Sequence, residues 1–186
     1  VPEKTDARDR LLVAAQALYA ERGVAATTPR DVLARSAVGQ GSLYHHFPTK
    51  RDLARAAVGR TVQEQLGTAK AELLGDATAR ERIGAYLLRD RDAVAGCRVG
   101  RLTSDPLVMS EDDLHRLVEG YFTDLITLVC DVLQEAGLSP DRARERATTI
   151  VAVVQGGYVL ARATGDPDVM RSAVRGLFAL LEEEKE

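Results

Sequence analysis

A chain of 186 residues can bury one substantial hydrophobic core or two small ones. With 28% charged and 45% apolar residues it has the composition of a folded, water-soluble protein, and no apolar run approaches the ~18–20 residues that span a bilayer. The net charge of −3 taken alone argues against nucleic acid, but its distribution reverses that reading: residues 1–60 hold ten Lys and Arg against six Asp and Glu, and the remainder fifteen against twenty-two. A basic N-terminal third on an acidic body is a local footprint, and phosphates respond to charge within a Debye length. The two cysteines, Cys97 and Cys130, lie far apart without metal-ligand spacing. They read as buried thiols of a reducing cytoplasm, and no signal-peptide pattern opens the chain.

Residues 1–5 read as a loose tail. From about Asp6 to Glu21, Leu11, Ala15 and Leu18 form one helical stripe with Leu12 and Tyr19 beside it, and Gly23 stops the helix. Thr28-Pro29-Arg30-Asp31 is a helix start: a capping hydroxyl, proline at the first position and an acid at the third. Val32 and Leu33 then point inward, and the small Ala34 suits close approach of another helix. Val38 plugs a turn at Ala37-Val38-Gly39, and a short helix follows over Gly41 to Phe47. Leu43 and Phe47, four apart, share its inner face; Gly41, Ser42 and His45 fall opposite, with Tyr44 on the flank. An exposed amide, hydroxyl, phenol and imidazole without a carboxylate suit phosphates and base edges. Thr49-Lys50-Arg51-Asp52 starts the next helix, which puts Lys50 beside a helix N-terminus where a phosphate can sit.

Gly41-Ser42-Leu43-Tyr44-His45-His46-Phe47-Pro48-Thr49-Lys50 resembles the G-x-L-Y-x-H/Y-F-x-x-K signature in the helix-turn-helix of TetR-family transcriptional repressors. The turn departs from the family's usual Ala-Gly-Val-Ser, standing here as Ser36-Ala37-Val38-Gly39. The expected DNA-binding residues are Thr28, Arg30, Tyr44 and Lys50 on phosphates, Gln40, Ser42 and His45 towards base edges, and Gly41 on the same face.

The helix opened by Thr49 is expected to run to Leu74, with Gly75 as its stop, linking a head of residues 1–53 to a body of residues 54–186. Thr78-Ala79-Arg80-Glu81 is a capping box for a helix carrying Ile83, Tyr86, Leu87 and Leu88. Periodicity is lost from Ala95 to Met109, which predicts loop and short helix. Ser110-Glu111-Asp112-Asp113 opens a long helix with a broad apolar face from Leu114 to Leu133. Ser139-Pro140 begins another, apolar all round from Ile150 to Ala161, and Asp166-Pro167 begins the last. A helix apolar on every side must be covered on every side. The surplus of apolar stripes on the last two helices predicts a twofold four-helix interface, with Gly156 and Gly157 allowing close approach and Val174 and Phe178 on the seam. The family resemblance implies the same homodimer on a pseudo-palindromic double-stranded DNA operator.

The fold expected is thus all-α, an N-terminal three-helix helix-turn-helix unit followed by a C-terminal effector-binding and dimerisation body. Neighbouring His45 and His46 diverge by about 100° on a helix, so no metal site is expected there, and no cofactor motif is found. Tyr86, Cys97, Met109, Tyr121, Phe122 and Gln155 could line an apolar cavity with a few polar handles. The resemblance implies a small apolar effector in such a cavity, and Gly96-Cys97-Arg98-Val99-Gly100 looks like the multidrug and lincomycin-resistance regulators of the family. Two other readings stand beside this one: a DNA-binding regulator whose body takes a protein partner, and a helical enzyme using Cys97.

Overall fold

The computed structural model describes residues 6–183, so the tail expected over residues 1–5 and the last three residues lie outside the described residues. Within them the secondary structure is helical throughout. Helices α1 (Ala7–Arg22), α2 (Pro29–Ser36), α3 (Gln40–His46), α4 (Lys50–Leu73) and α5 (Ala79–Leu88) are followed by a 3-10 turn (Gly100–Ser104). Then come α6 (Pro106–Ser110), α7 (Asp112–Glu135), α8 (Pro140–Thr164) and α9 (Pro167–Glu183). Three starts are reciprocal capping boxes, each satisfying backbone N–H groups that a helix leaves unpaired: Thr28 with Asp31, Thr49 with Asp52, and Thr78 with Glu81.

Contacts divide the chain into two compact units. One takes the residues up to Glu64 together with Arg101–Glu119; the other takes Gln65–Gly100 and the residues from Gly120 onward. The boundary expected after residue 53 is therefore displaced. Helices α4 and α7 each contribute to both units, and the irregular segment after Gly100 belongs to the first.

Asp105 is the reason. Its carboxylate is 7% exposed; one oxygen accepts from the N–H groups of Val24 (2.6 Å) and Ala25 (3.1 Å), the other from those of Leu107 (3.0 Å) and Val108 (3.2 Å). It thus caps α6 and ties down the loop that precedes α2. Arg101 adds hydrogen bonds to the carbonyls of Ala20 and Glu21 at the end of α1. Gly23 fits the arrangement twice over: its φ is +88°, and a Cβ there would stand 2.6 Å from the Asp105 carboxylate. Beneath the loop, Leu11, Ala15, Leu18, Val24, Val32, Leu43, Leu53 and Val58 make the core of this unit. Ala34 is exposed, so it does not mediate the close helix approach expected of it, and Leu33 is half-buried.

In the second unit α8 packs on α9, and α9 on α5. Three residues assigned to the dimer seam are engaged inside the chain. A Cβ on Gly157 would lie 3.0 Å from Met170, so this glycine sets the α8–α9 approach. Val174 is buried, and the Phe178 ring lies against Gly84 with the Arg80 guanidinium 5.9 Å from its centre. Gly156 faces open space. Helix α8 is covered on one side only: Ile150, Val151, Val154 and Ala161 are buried, whereas Ala152, Val159 (67% exposed) and Leu160 (50%) are not.

Replacing Asp105 with alanine is expected to destabilise the protein by about 3 kcal/mol, because buried backbone donors lose a charged acceptor. Urea unfolding measures it; a loss under about 1 kcal/mol would show that the carboxylate does not hold the loop.

Candidate nucleic-acid interface

Helix α1 packs against both α2 and α3, and the latter two are joined by Ala37, Val38 and Gly39. Ala37 is left-handed (φ 53°), the one non-glycine residue with positive φ among those described, and its N–H donates to the Leu33 carbonyl. Val38 is buried as the plug of the turn, and its N–H donates to the Ser36 hydroxyl at 3.3 Å. Gly39 is the extended N-cap of α3. The left-handed position thus coincides with the place where the usual turn sequence has glycine, although this chain puts alanine there.

Packing holds the seven residues of α3, which are too few to be helical alone. Leu43 and Phe47 are buried, with the Arg8 guanidinium 5.5 Å from the Phe47 ring centre. Gln40, Gly41, Tyr44 and His45 are exposed and Ser42 is half-exposed. The outward face carries neutral donors and acceptors and no carboxylate. The His45 and His46 rings meet edge to face, and among the described residues no group of three or more His, Cys, Asp or Glu could hold a metal ion.

The flanking residues are less uniform. Arg30 is exposed at the start of α2. Thr28 spends its donors internally: its N–H (2.8 Å) and hydroxyl (2.7 Å) both donate to Asp31, so it has none left for a phosphate. Those bonds, with Arg22 at 2.7 Å, lower the Asp31 pKa to about 2. At α4 the Thr49–Asp52 box likewise puts a carboxylate where an anion was expected. Lys50 donates to the Ala25 carbonyl at 3.2 Å, which holds its ammonium beside the loop and leaves two N–H groups for an outside acceptor. Arg51 is committed to Glu111 (2.8 Å) and bidentately to Asp113 (2.8–3.1 Å).

Of the residues expected around an effector, Tyr86, Cys97, Tyr121, Phe122 and Gln155 all fall in the second unit. Tyr86, Cys97 and Tyr121 are buried; Phe122 and Gln155 are half-buried. The Gly100 N–H donates to Cys97 Sγ at 3.2 Å, and the Gln155 amide oxygen occupies the space a Cβ on Gly100 would need. The Tyr121 and Phe122 rings meet edge to face at 5.0 Å. Burial pushes the Tyr86 hydroxyl up to about 12 and that of Tyr121 higher still. Met109 does not join them: it is 39% exposed and lies in the first unit. The cluster includes Tyr158, whose hydroxyl burial also pushes up, and two arginines, Arg89 and Arg91, whose guanidiniums lie 5.7 and 5.4 Å from the Tyr86 ring centre. Tyr158 could have been found three residues beyond Gln155 on one helical face; the arginines carry no such signal.

A family model for bacterial regulatory proteins of the tetR family matches residues 11–57, and one for the C-terminal domain of LmrA/YxaF-like transcriptional regulators matches residues 82–175. An uncharacterized HTH-type transcriptional regulator of Mycobacterium tuberculosis is 30% identical over 173 residues, covering 86% of either chain. The HTH-type transcriptional regulator LmrA of Bacillus subtilis is 29% identical over 163 residues, covering 83% of this chain and 86% of its own. Among solved structures, reduced NemR of Escherichia coli superposes with a TM-score of 0.81 at 21% identity, over 92% of this chain and 95% of that one.

The Asp31 pKa offers a direct check on the start of α2. A depressed carboxylate contributes stability above its ordinary pKa of 3.8 and loses it as pH falls through about 2, so the α2 cap should loosen over that window. Carbon-detected NMR titration should place the Asp31 midpoint near 2, and Thr28→Ala should return it towards 3.8. An unchanged midpoint in the variant would mean that the Thr28 bonds do not set it.

Proposed function

The chain belongs to the TetR family of bacterial transcriptional regulators, and from that premise we propose a homodimeric repressor that a small, largely apolar effector releases from its operator. Regulators of this family bind operator DNA and act as dimers. The observation that carries the reading here is the outward face of α3: neutral hydrogen-bonding groups, free of carboxylate, on a helix anchored by Leu43 and Phe47. In this reading Gln40, Ser42 and His45 meet base edges beside Gly41, while Lys50, Arg30 and Tyr44 hold phosphates. Thr28 serves by fixing α2 through Asp31. Among the described residues no helix is long and apolar enough to cross a membrane, and the proposed place of action is the cytoplasm, where an operator lies.

Two features support the rest. The exposed stripe of Ala152, Val159, Leu160 and Ala163 on α8, with half-buried Gly156 among them and Leu180 (61% exposed) on α9, is a candidate seam for the second subunit. The cluster of Tyr86, Tyr121, Tyr158, Cys97 and Gln155 is a candidate effector wall, with ring faces for an apolar body and hydroxyl, thiol and amide groups as polar handles. Helix α4, which like α7 contributes to both units and also starts beside α3, is the element through which an effector would alter the spacing of the two heads.

Lys50→Ala should weaken operator and random DNA alike and lower the salt slope by about 0.9. His45→Ala or Gln40→Ala should instead relax preference at one or two base pairs, by ~1–3 kcal/mol. Equal losses on both DNAs for all three variants would sink the assignment of α3 to base readout.

A charge on the α8 stripe, Val159→Asp, should yield a folded monomer that has lost DNA affinity, since one head makes few contacts. Sedimentation at micromolar concentration tests this, and a wild-type monomer would overturn the dimer.

Compounds found by thermal shift should bind less tightly in saturating operator, by the same factor as they weaken DNA binding; a hundredfold effect needs ~2.7 kcal/mol of coupling. Cys97→Trp should abolish such a hit and spare DNA affinity. A ligand indifferent to operator would defeat the release model and leave the partner-protein reading.

A further inference from the structure

A cavity of about 340 Å³ in the second unit lies between the end of α5 with the segment after it and the first turns of α9. None of Tyr86, Tyr121, Tyr158, Cys97 or Gln155 lines it; it adjoins the candidate effector wall through Arg89 and Arg91, whose guanidiniums also lie over the Tyr86 ring. Four arginines line it: Arg89 and Arg91 from the α5 side, Arg171 and Arg175 one helical turn apart on α9, over a floor that includes Met170 and Val174. One acid, Asp90, is among the lining residues. Arginines remain charged at any physiological pH, so this wall is permanently cationic.

Its charge is only partly answered by the protein. The nearest approach of Arg89 to Glu72 is long, 3.4 Å. Arg171 is held by Asp168 three residues away, an exposed pair of the kind that contributes little. Arg175 has no ion pair among the described residues. Arg91 is half-buried, donates to the carbonyls of Tyr86, Leu87 and Arg89, hydrogen-bonds Tyr158, and meets no carboxylate at hydrogen-bonding distance among the described residues. Burial, and then the neighbouring Arg89, depress its pKa, as for a cation lacking compensation. Arg89 and Arg91 each also keep a buried Nε–H without an acceptor. Capping the end of α5 accounts for Arg91. It does not account for two further arginines brought to the same cavity from α9, or for the apolar floor beneath them.

We propose that this α5–α9 cavity binds a small amphipathic anion, with a carboxylate or phosphate head among the four arginines and a short apolar body on Met170 and Val174. Guanidinium forks match both head groups bidentately. The volume is at the small end of ligand cavities, ~300–1,000 Å³, which limits the body to a short one.

Calorimetric titration of the full chain with octanoate, octyl phosphate and octanol tests the proposal. At least one anion should bind saturably and more weakly as salt rises, with octanol at least about tenfold weaker; which anion binds identifies the head group. Arg171→Gln/Arg175→Gln, both at exposed positions, should cost the anion about tenfold or more with the melting temperature unchanged. Cys97→Trp, in the other cluster, should leave anion binding intact. The site is ruled out if octanol binds as well as the anions, if neither anion binds by ~10 mM, or if Cys97→Trp abolishes binding that the arginine pair does not affect.

Discussion

Four backbone N–H groups from two distant segments converge on the carboxylate of Asp105. A buried charge is tolerable only when its lone pairs are filled, and here they are filled by backbone. The same bonds fix the loop between α1 and α2, and hence where α2 begins. They also require Gly23, because no side chain fits between that loop and the carboxylate. The DNA-facing unit is consequently more than its three N-terminal helices: residues 101–110, far along the chain, are part of what positions it.

The electrostatics of that unit follow from the way its helices are capped. Asp31 and Asp52 occupy the starts of α2 and α4, so these termini stabilise the protein's own carboxylates before any phosphate arrives. In the proposed reading, attraction for DNA then rests on side-chain cations such as Lys50 and Arg30, and selectivity on the carboxylate-free face of α3. That division matches the general one in which phosphate contacts position a protein and base contacts specify its site. Lys50 is well placed for the first role because its hydrogen bond to Ala25 limits the side-chain freedom that binding would otherwise have to remove.

In the second unit, two arginines join the tyrosines that the sequence suggested as polar handles of an apolar cavity. Tyr86 is flanked by Arg89 and Arg91, and buried hydroxyls of Tyr121 and Tyr158 lie in the same cluster. Arg91 relies on cation–π attraction and carbonyl dipoles, while Arg89 keeps Glu72 at 3.4 Å as a counter-ion. The two together leave a surplus of positive charge inside a unit whose overall composition is acidic, which bulk charge conceals.

What the sequence by itself determined is local. The boxes of Thr28, Thr49 and Thr78 span four residues each, so the helix starts follow from neighbours in the chain. The spacing of Leu43 and Phe47 likewise settles which face of α3 is buried. The family resemblance rests on the same short stretch, where residue types and their spacing are enough. Even at the turn, the left-handed conformation sits at Ala37 while glycine stands two places later; neighbouring helices impose it against the residue's own preference. Tertiary structure alone decided the rest. Asp105 and Arg101 find partners about eighty residues away. Gly157 and Phe178 turn inward to Met170 and Gly84, where apolar stripes had suggested a subunit seam. Met109 parts from the cluster it was grouped with. The physical reason is common to all of these: a cap or a helical face is set by residues within a turn, but the partner a side chain meets depends on which distant segment packs against it.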